Sequence, residues 1–381
     1  MHFEAPEEIV KLQASLARLL ADRDGGKPSQ APVGSPEIMD RGTWQQLAAL
    51  GLPALTVPAA LGGYGYQLAE LLPVFEELGR SLVCEPFLAS SVIAAAALLE
   101  AAPASLLDSL MPGVASGATR LALAHDEPQA RGDTLARPLG TLARALADGR
   151  WRLDGIKRPV LHGAAAEVLL VSARMPDGTV GLFRIDAGTP GLECRSFRLV
   201  DDSPAAELQF NSVAADRLAD GDAALAALAH ARAAGIAGLA AEAVGVARRA
   251  LALTVEHLKL RQQFGRPLAA YQVLQHRVAD MAIAVETLRS AAMAAACAVG
   301  RDDDAARADL ARAKMLVGRH GLALAEAAVQ LHGAIGMTTA HAVGNCLRRM
   351  TVTAGLFGDA SHHAALHGAA LVRAHPLPAC A

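Results

Sequence analysis

RQQFGRPLAAYQVLQHRVADM, residues 261–281, decides how the second half of this chain folds. An Arg-x-x-Phe-Gly turn at Arg261–Gly265 leads into a helix on which Gln272 and Gln275 lie about one turn apart. The helical pattern continues on both sides. Ala223–Lys259, Ala270–Gly300, Ala305–Gly333 and Ala340–Ala354 read as long helices within a pattern that reaches Val372. Ala and Gly recur along them at spacings of three and four, which suits a close-packed bundle. The acidic RDDDA at 301–305 reads as a solvated inter-helix turn with an N-cap. A second compact phrase, QLHGAIGM at 330–337, carries Gly333 and Gly336, which let backbone approach a ligand closely.

Upstream, the period changes. Between Arg120 and Asp222 the segments WRLDG (151–155), EVLLVSAR (167–174), TVGLFRID (179–186) and AAELQFNSV (205–213) alternate or run apolar. DG, PDG and GTPG punctuate them, so they read as strands and hairpins. Before Arg120 the pattern is helical again. Ile9, Leu12, Leu16, Leu19 and Leu20 repeat at helical spacing, and helices are expected at 4–24, Arg41–Leu50, Leu68–Gly79, Pro86–Ala101 and Ser105–Ser116. The Gly/Pro/Ser-rich GGKPSQAPVGSPE (25–37) reads as a loop and HPLPACA (375–381) as a frayed end. The expected fold class is α+β, mainly α. A helical segment 1–118 and a small β domain 119–222, barrel or sandwich, precede a helical bundle 223–381.

Composition narrows the function. Hydrophobic residues make up 52% of the 381 and aromatics 3%, so the core must be built from Ala, Leu and Val. A net charge of −3 without a basic cluster argues against nucleic acid as a partner. Five cysteines with no C-x-x-C pair fit a reduced, cytoplasmic protein. The apolar segments are broken by charge or Pro before the roughly 18 residues a membrane span needs, so no membrane partner is expected.

Individual residues suggest ligand chemistry. Arg261 at a helix end can hold a phosphate through two parallel hydrogen bonds. Phe264 offers an apolar face to a ring, and Gln272 offers amide donors and an acceptor to a heterocycle or sugar. His162, His332, His362 and His363 could titrate near neutrality. The pair at 362–363 lacks the i, i+4 spacing of a helical metal site, so no metal is expected.

Together, R-x-x-F-G at Arg261–Gly265, QLHGAIGM at 330–337 and WRLDGIK at 151–157 resemble the signatures of the acyl-CoA dehydrogenase family. The resemblance covers nearly the whole chain. Among subfamilies it is strongest to the small subunit of pimeloyl-CoA dehydrogenase and its relatives, through AHDEPQARGD (124–133), DGIKRPVLHGA (154–164), AEAVG (241–245) and LFGDASHH (356–363). It implies an N-terminal helical domain, a middle β domain and a C-terminal four-helix bundle, assembled as dimers or tetramers. It also implies FAD, an acyl-CoA substrate and an electron-transfer flavoprotein as acceptor. In the family, FAD lies between two subunits. Arg261, Phe264, Gln272, Gln330, Leu331, Gly333 and Ala334 would form the arm lent to the neighbour's pyrophosphate and adenosine. Val160, Leu161, His162 and Gly163, with part of Leu123–Glu127, would face the flavin ring, although HDEPQARGD departs from the commoner T-E-P-x-A-G-S-D.

The reaction implied is α,β-desaturation of a thioester, in which a carboxylate removes the α-proton while the β-hydride leaves for the flavin. Most members carry that carboxylate as a Glu nine residues after an Arg. Here Arg348 is followed nine residues later by Phe357. The alternative Glu position falls on Gly235, and the family's CoA-binding Arg falls on Ile236. Asp359 and Glu242 remain as candidate bases. Asp359 also reads as a turn residue bonding its own backbone. Glu242, on an apolar helix, must find a partner or shift its pKa. Three readings follow: a subunit of a heteromeric enzyme whose homologous partner supplies the Glu, a homomeric desaturase using Asp359 or Glu242, or a non-catalytic assembly subunit.

Overall fold

The computed structural model describes residues 5–21, 39–129, 138–146, 149–338 and 341–374. The loop expected at 25–37, the last residues of AHDEPQARGD and the tail 375–381 lie outside the described residues. The chain forms two compact units that exchange segments. One comprises 1–27, 68–83 and 236–381, and the other 28–67 and 84–235.

The first unit is helical. It holds α1 (Glu7–Ala21) and, counting past α2 (Arg41–Ala49) of the second unit, α3 (Leu72–Arg80). The second unit supplies α4 (Ala95–Ala101), which continues a π-helical turn at Phe87–Ala94, and α5 (Ala104–Ala115). The 40-residue α6 (Gly221–Leu260) runs across the boundary between the two sets of residues. After it the first unit continues with α7 (Gln272–Ala298), α8 (Asp304–Leu316), α9 (Leu322–His332), α10 (Ala342–Gly355) and α11 (Ala360–Ala374).

Small residues set the helix spacing, as the composition requires. A Cβ built on Gly79 of α3 would sit 2.0 Å from the carbonyl oxygen of Glu242 on α6. One built on Gly245 of α6 would sit 1.9 Å from the carbonyl oxygen of Glu76. The two helices therefore meet backbone to backbone, and neither site has room for a methyl group. The stretch expected as one helix at 305–333 is divided by a π-helical turn, Val317–Gly321. Gly318 there lies against Ala360 and Gly321 against Met350, where a Cβ would come within 2.7 Å of each. Helices α6 and α7 are long and apolar enough to cross a membrane, so the apolar runs are longer than the sequence reading allowed. Of their most apolar windows, 61% and 50% is buried inside the fold, as in core helices.

The second unit is built on a seven-stranded sheet: β1 (Leu121–Ala124), β2 (Leu142–Ala145), β3 (Trp151–Leu161), β4 (Val168–Arg174), β5 (Val180–Asp186), β6 (Leu192–Arg198) and β7 (Pro204–Asp220). Pairing runs β4–β2–β3–β7–β5 and returns from β5 to β4, while β1 and β6 pair outside that ring with β4 and β7. The 17-residue β7 makes this possible by pairing with β3 and β6 along its first part and with β5 along its last. Its core is aliphatic around Phe183 and Phe210, with Leu153, Val160, Leu169, Val171, Leu208 and Val213 buried between them.

Candidate functional site

The arm begins where α6 ends. Gln262–Gln263 and Arg266–Pro267 pair as a two-stranded ribbon, Gln263 opposite Arg266. The connecting residues Phe264 and Gly265 both have left-handed backbones (φ +54° and +81°), the conformation a two-residue hairpin needs to match strand twist. Glycine adopts it freely, whereas a phenylalanine does so at a cost of about 1–2 kcal/mol. Phe264 is also 87% exposed. The ribbon is braced from inside. The Leu268 N–H donates to the Arg261 carbonyl (2.9 Å), and the Tyr271 hydroxyl donates to the Gln263 carbonyl (3.2 Å). The Arg266 guanidinium sits 4.1 Å over the Tyr271 ring. Arg261, Gln272 and Gln330 are exposed.

Three histidines join this arm to the glycine turn. The His257 ring, one turn before Arg261, stacks on His332 at 4.5 Å, and His341 lies 4.7 Å from His332. His332 Nδ1 donates to the Ala328 carbonyl (2.7 Å). Burial lowers the His257 pKa, and the nearby His332, His341 and Arg261 push it the same way. At the next residue Gly333 has φ +67° and ψ −144°, with nothing within 4 Å of an added Cβ. Gly333 and Ala334 thus present bare backbone to solvent beside Gln330, while Leu331 is buried. No sequence signal announced His257 or His341 as the link, because their meeting is tertiary.

The turn at which the resemblance would place the base lies between α10 and α11. Phe357 and Gly358 are again both left-handed (φ +57° and +102°). His363 Nε2 bonds to the Phe357 carbonyl at 2.9 Å. Asp359 is exposed and caps α11, its carboxylate accepting from the His362 N–H (2.8 Å). On the other side the fully buried Lys314 donates to the carbonyls of Thr353 (2.6 Å) and Ala354 (3.1 Å) in the last turn of α10. Glu242 is elsewhere in this unit. It is buried and faces Arg349 at 3.7 Å, and Arg349 also donates to the Val83 carbonyl (2.8 Å). Ile236, where the resemblance would place a CoA-binding Arg, is buried.

In the β unit, the segment after β1 holds a charged network that the sequence did not reveal. Lys157, on β3, is fully buried. It donates to Glu127 (2.8 Å), the His125 carbonyl (3.0 Å) and the Ser172 hydroxyl (3.2 Å). Burial lowers the Lys157 pKa to about 8, against the raising effect of Glu127. For Glu127, burial raises the pKa, but Lys157 and the N–H groups of Gly140 and Thr141 outweigh it and bring it to about 2. Both groups are therefore charged at neutral pH. Val160 points into the β core, so only its backbone can meet a ligand. Leu161 is half-buried, and the buried His162 has a left-handed backbone (φ +54°).

The donor set suits FAD. The exposed Arg261, Gln272, Gln330 and Phe264 and the open backbone at Gly333 supply the guanidinium, amide, aromatic and backbone groups that a pyrophosphate flanked by a sugar and a base would take. Among the described residues no group of three or more His, Cys, Asp or Glu could hold a metal ion.

Comparison with known proteins agrees. Residues 6–118 match the acyl-CoA dehydrogenase N-terminal domain and residues 220–371 the C-terminal domain. Acyl-CoA dehydrogenase IpdE2 of Mycobacterium tuberculosis is 31% identical over 338 residues, 88% of each chain. A variant of the Tcur3481–Tcur3483 steroid ACAD superposes with a TM-score of 0.84 at 32% identity, covering 97% of this chain and 98% of that one. The ChsE4–ChsE5 complex from Mycobacterium tuberculosis does so with a TM-score of 0.84 at 26% identity, over 100% of both chains.

Proposed function

The chain belongs to the acyl-CoA dehydrogenase family, and from that premise we propose that it is the base-less subunit of a heteromeric enzyme. As a family member it is an FAD-dependent oxidoreductase acting on CH–CH bonds. FAD, when bound, takes the hydride that leaves the β-carbon. Phe357 stands at the base position and cannot accept the α-proton, so a homologous partner supplies the glutamate. This chain lends its arm instead. Arg261 holds phosphate, Phe264 and Gln272 contact the rest of the dinucleotide, and Gln330, Gly333 and Ala334 close over it with amide and backbone groups.

One observation carries the reading: the arm faces solvent with a strained, 87% exposed Phe264 at its tip, while the base position holds a phenylalanine. The two candidate bases of a homomeric enzyme are otherwise engaged. Asp359 caps a helix and Glu242 is paired with Arg349. The two-component names of the Tcur3481–Tcur3483 and ChsE4–ChsE5 relatives support a heteromer. The steroid ACAD name also supports a ring-derived acyl-CoA as substrate. We divide the labour as helical 1–118, β 119–222 and bundle 223–381, in a cytoplasmic assembly that passes electrons to an electron-transfer flavoprotein.

The test is co-purification with a family member that keeps the Glu and is encoded next to this chain. The pair should absorb near 450 nm and desaturate a CoA thioester, the lone chain should do neither, and Arg261→Ala should strip flavin from the pair. A lone chain that is yellow and active would refute the proposal, and full activity of the Arg261→Ala pair would leave only an assembly role.

A further inference from the structure

A half-enclosed cavity of about 420 Å³ opens in the first unit and shares no residue with the arm or the Phe357 turn. Its size is that of a small-molecule site. Val10 of α1, Leu72 and Pro73 of α3 and Met293 of α7 give it apolar walls. α1 buries Ile9, Leu16 and Leu20 yet leaves Val10 49% exposed on this cavity. Met293 is the kind of side chain that reshapes itself around an apolar guest.

The polar end is built around one largely buried carboxylate. Glu76 meets Arg248 at 3.1 Å through Oε2 and Arg289 at 3.8 Å through Oε1. Arg248 is the closer partner. Arg289 approaches with Nε, beyond hydrogen-bond reach, and its Nη1–Nη2 edge has no hydrogen bond or ion pair among the described residues. That edge is the fork that grips a carboxylate through two parallel bonds. Two guanidiniums against Glu76 leave one positive charge in excess, and Glu286 stands 4.0 Å from Arg248, at the outer limit of an ion pair. Glu76 also caps the charge a guest can carry. A single negative charge meets the excess guanidinium, whereas a dianion would be repelled by Glu76.

We propose that this cavity is a second ligand site, for a monocarboxylic acid with an apolar body. The Arg289 fork takes the carboxylate, Glu76 braces that fork from its Nε side, and the body lies along Val10, Leu72, Pro73 and Met293. The guest bridges α1, α3 and α7, so its occupancy stabilises the helical unit by mass action. The site does not depend on flavin or on a partner subunit.

The test titrates decanoate into the full chain. Calorimetry should show saturable one-to-one binding, and the melting temperature should rise with decanoate concentration. Decanol has the same body without the charge, and decyl phosphate has a second charge. Each should bind about tenfold more weakly, the worth of a charge-assisted contact. Arg289→Gln removes the fork and Ala69→Phe fills the cavity. Both should weaken decanoate about tenfold or more. The Arg289 side chain is 55% exposed, so its variant tests the site even if Ala69→Phe does not fold. In methyl NMR the Met293 signal should move as decanoate is added. Absence of saturable binding to the wild-type chain overturns the proposal. So does decanoate that binds with Met293 unmoved, or that binds Arg289→Gln as tightly as wild type, because it then lies elsewhere. A chain that takes decanoate here but no flavin refutes the flavoprotein reading and leaves this site standing.

Discussion

The dipeptide Phe-Gly occurs twice with the same unusual backbone, at 264–265 and at 357–358, left-handed at all four residues. The surroundings differ. Phe264 stands at the tip of a two-stranded ribbon with its ring in solvent. Phe357 is half-buried, its carbonyl held by His363, between a helix end clasped by Lys314 and a helix start capped by Asp359. The first turn is braced at its base and its Phe264 ring meets the Tyr271 ring edge-on at 6.4 Å, yet that ring stays 87% exposed on a left-handed backbone, an arrangement suited to a turn that another molecule covers. The second is over-determined from both sides, so its shape survives whatever side chain occupies it. Under the proposed reading, Phe357 takes the place of the family's reactive side chain on a turn whose scaffold is held in place.

The largest expected effect comes from refilling that scaffold. Phe357→Glu, placed in a flavin-loaded pair whose partner has had its own catalytic glutamate replaced by glutamine, should raise desaturation about 100-fold or more, the low end of what a positioned base contributes. Steady-state assay against the same pair carrying the wild-type chain decides it, and no gain would mean that the turn no longer addresses a substrate. Lys314→Met attacks the clasp. It leaves two buried carbonyls without their charged donor, and should lower unfolding stability by roughly 3 kcal/mol in urea titration. Phe264→Gly tests the opposite turn. Relief of backbone strain should leave the isolated chain as stable or about 1 kcal/mol more so, while the assembled enzyme retains flavin about tenfold less well, one displaced contact's worth.

The smallest effect is a control, because its titrating groups lie in the β unit and not at either turn. The folded pKa of His125, about 3, lies below its ordinary 6.5. That of Glu127, about 2, lies below its ordinary 4.5. In both windows the unfolded chain binds the extra proton, so stability falls as pH falls, from 6.5 downward for His125 and from 4.5 downward for Glu127. Acid should therefore melt the β unit by hydrogen exchange before it loosens either Phe-Gly turn, and His125→Gln should flatten the upper part of the slope.

Most of the helical architecture was legible because apolar residues repeat at helical spacing over long stretches. The two phrases at 261–281 and 330–337 were legible because their spacing is local. Other features were hidden for physical reasons. β6, LECRSFR, is largely exposed and does not alternate, since it pairs on one side with β7 alone. β1 is four residues long, too short for a period to register. The division of 305–333 is dictated by Gly318 and Gly321 meeting Ala360 and Met350 from other helices. The same holds at the site. Glu242 visibly needed a partner, but nothing in its neighbourhood of sequence pointed to Arg349. Lys157 in a hairpin phrase looks like any solvent-facing lysine until the fold closes over it.

The glycine crossing of α3 and α6 has a consequence for how this chain can change. The carbonyl that excludes a methyl group at Gly79 belongs to Glu242 itself. Any residue larger than glycine there would drive the Glu242 backbone away and pull its carboxylate off Arg349. A saturation library should therefore return blank columns at 79 and 245, and neutral drift has no gradual route by which the buried acid could be re-aimed.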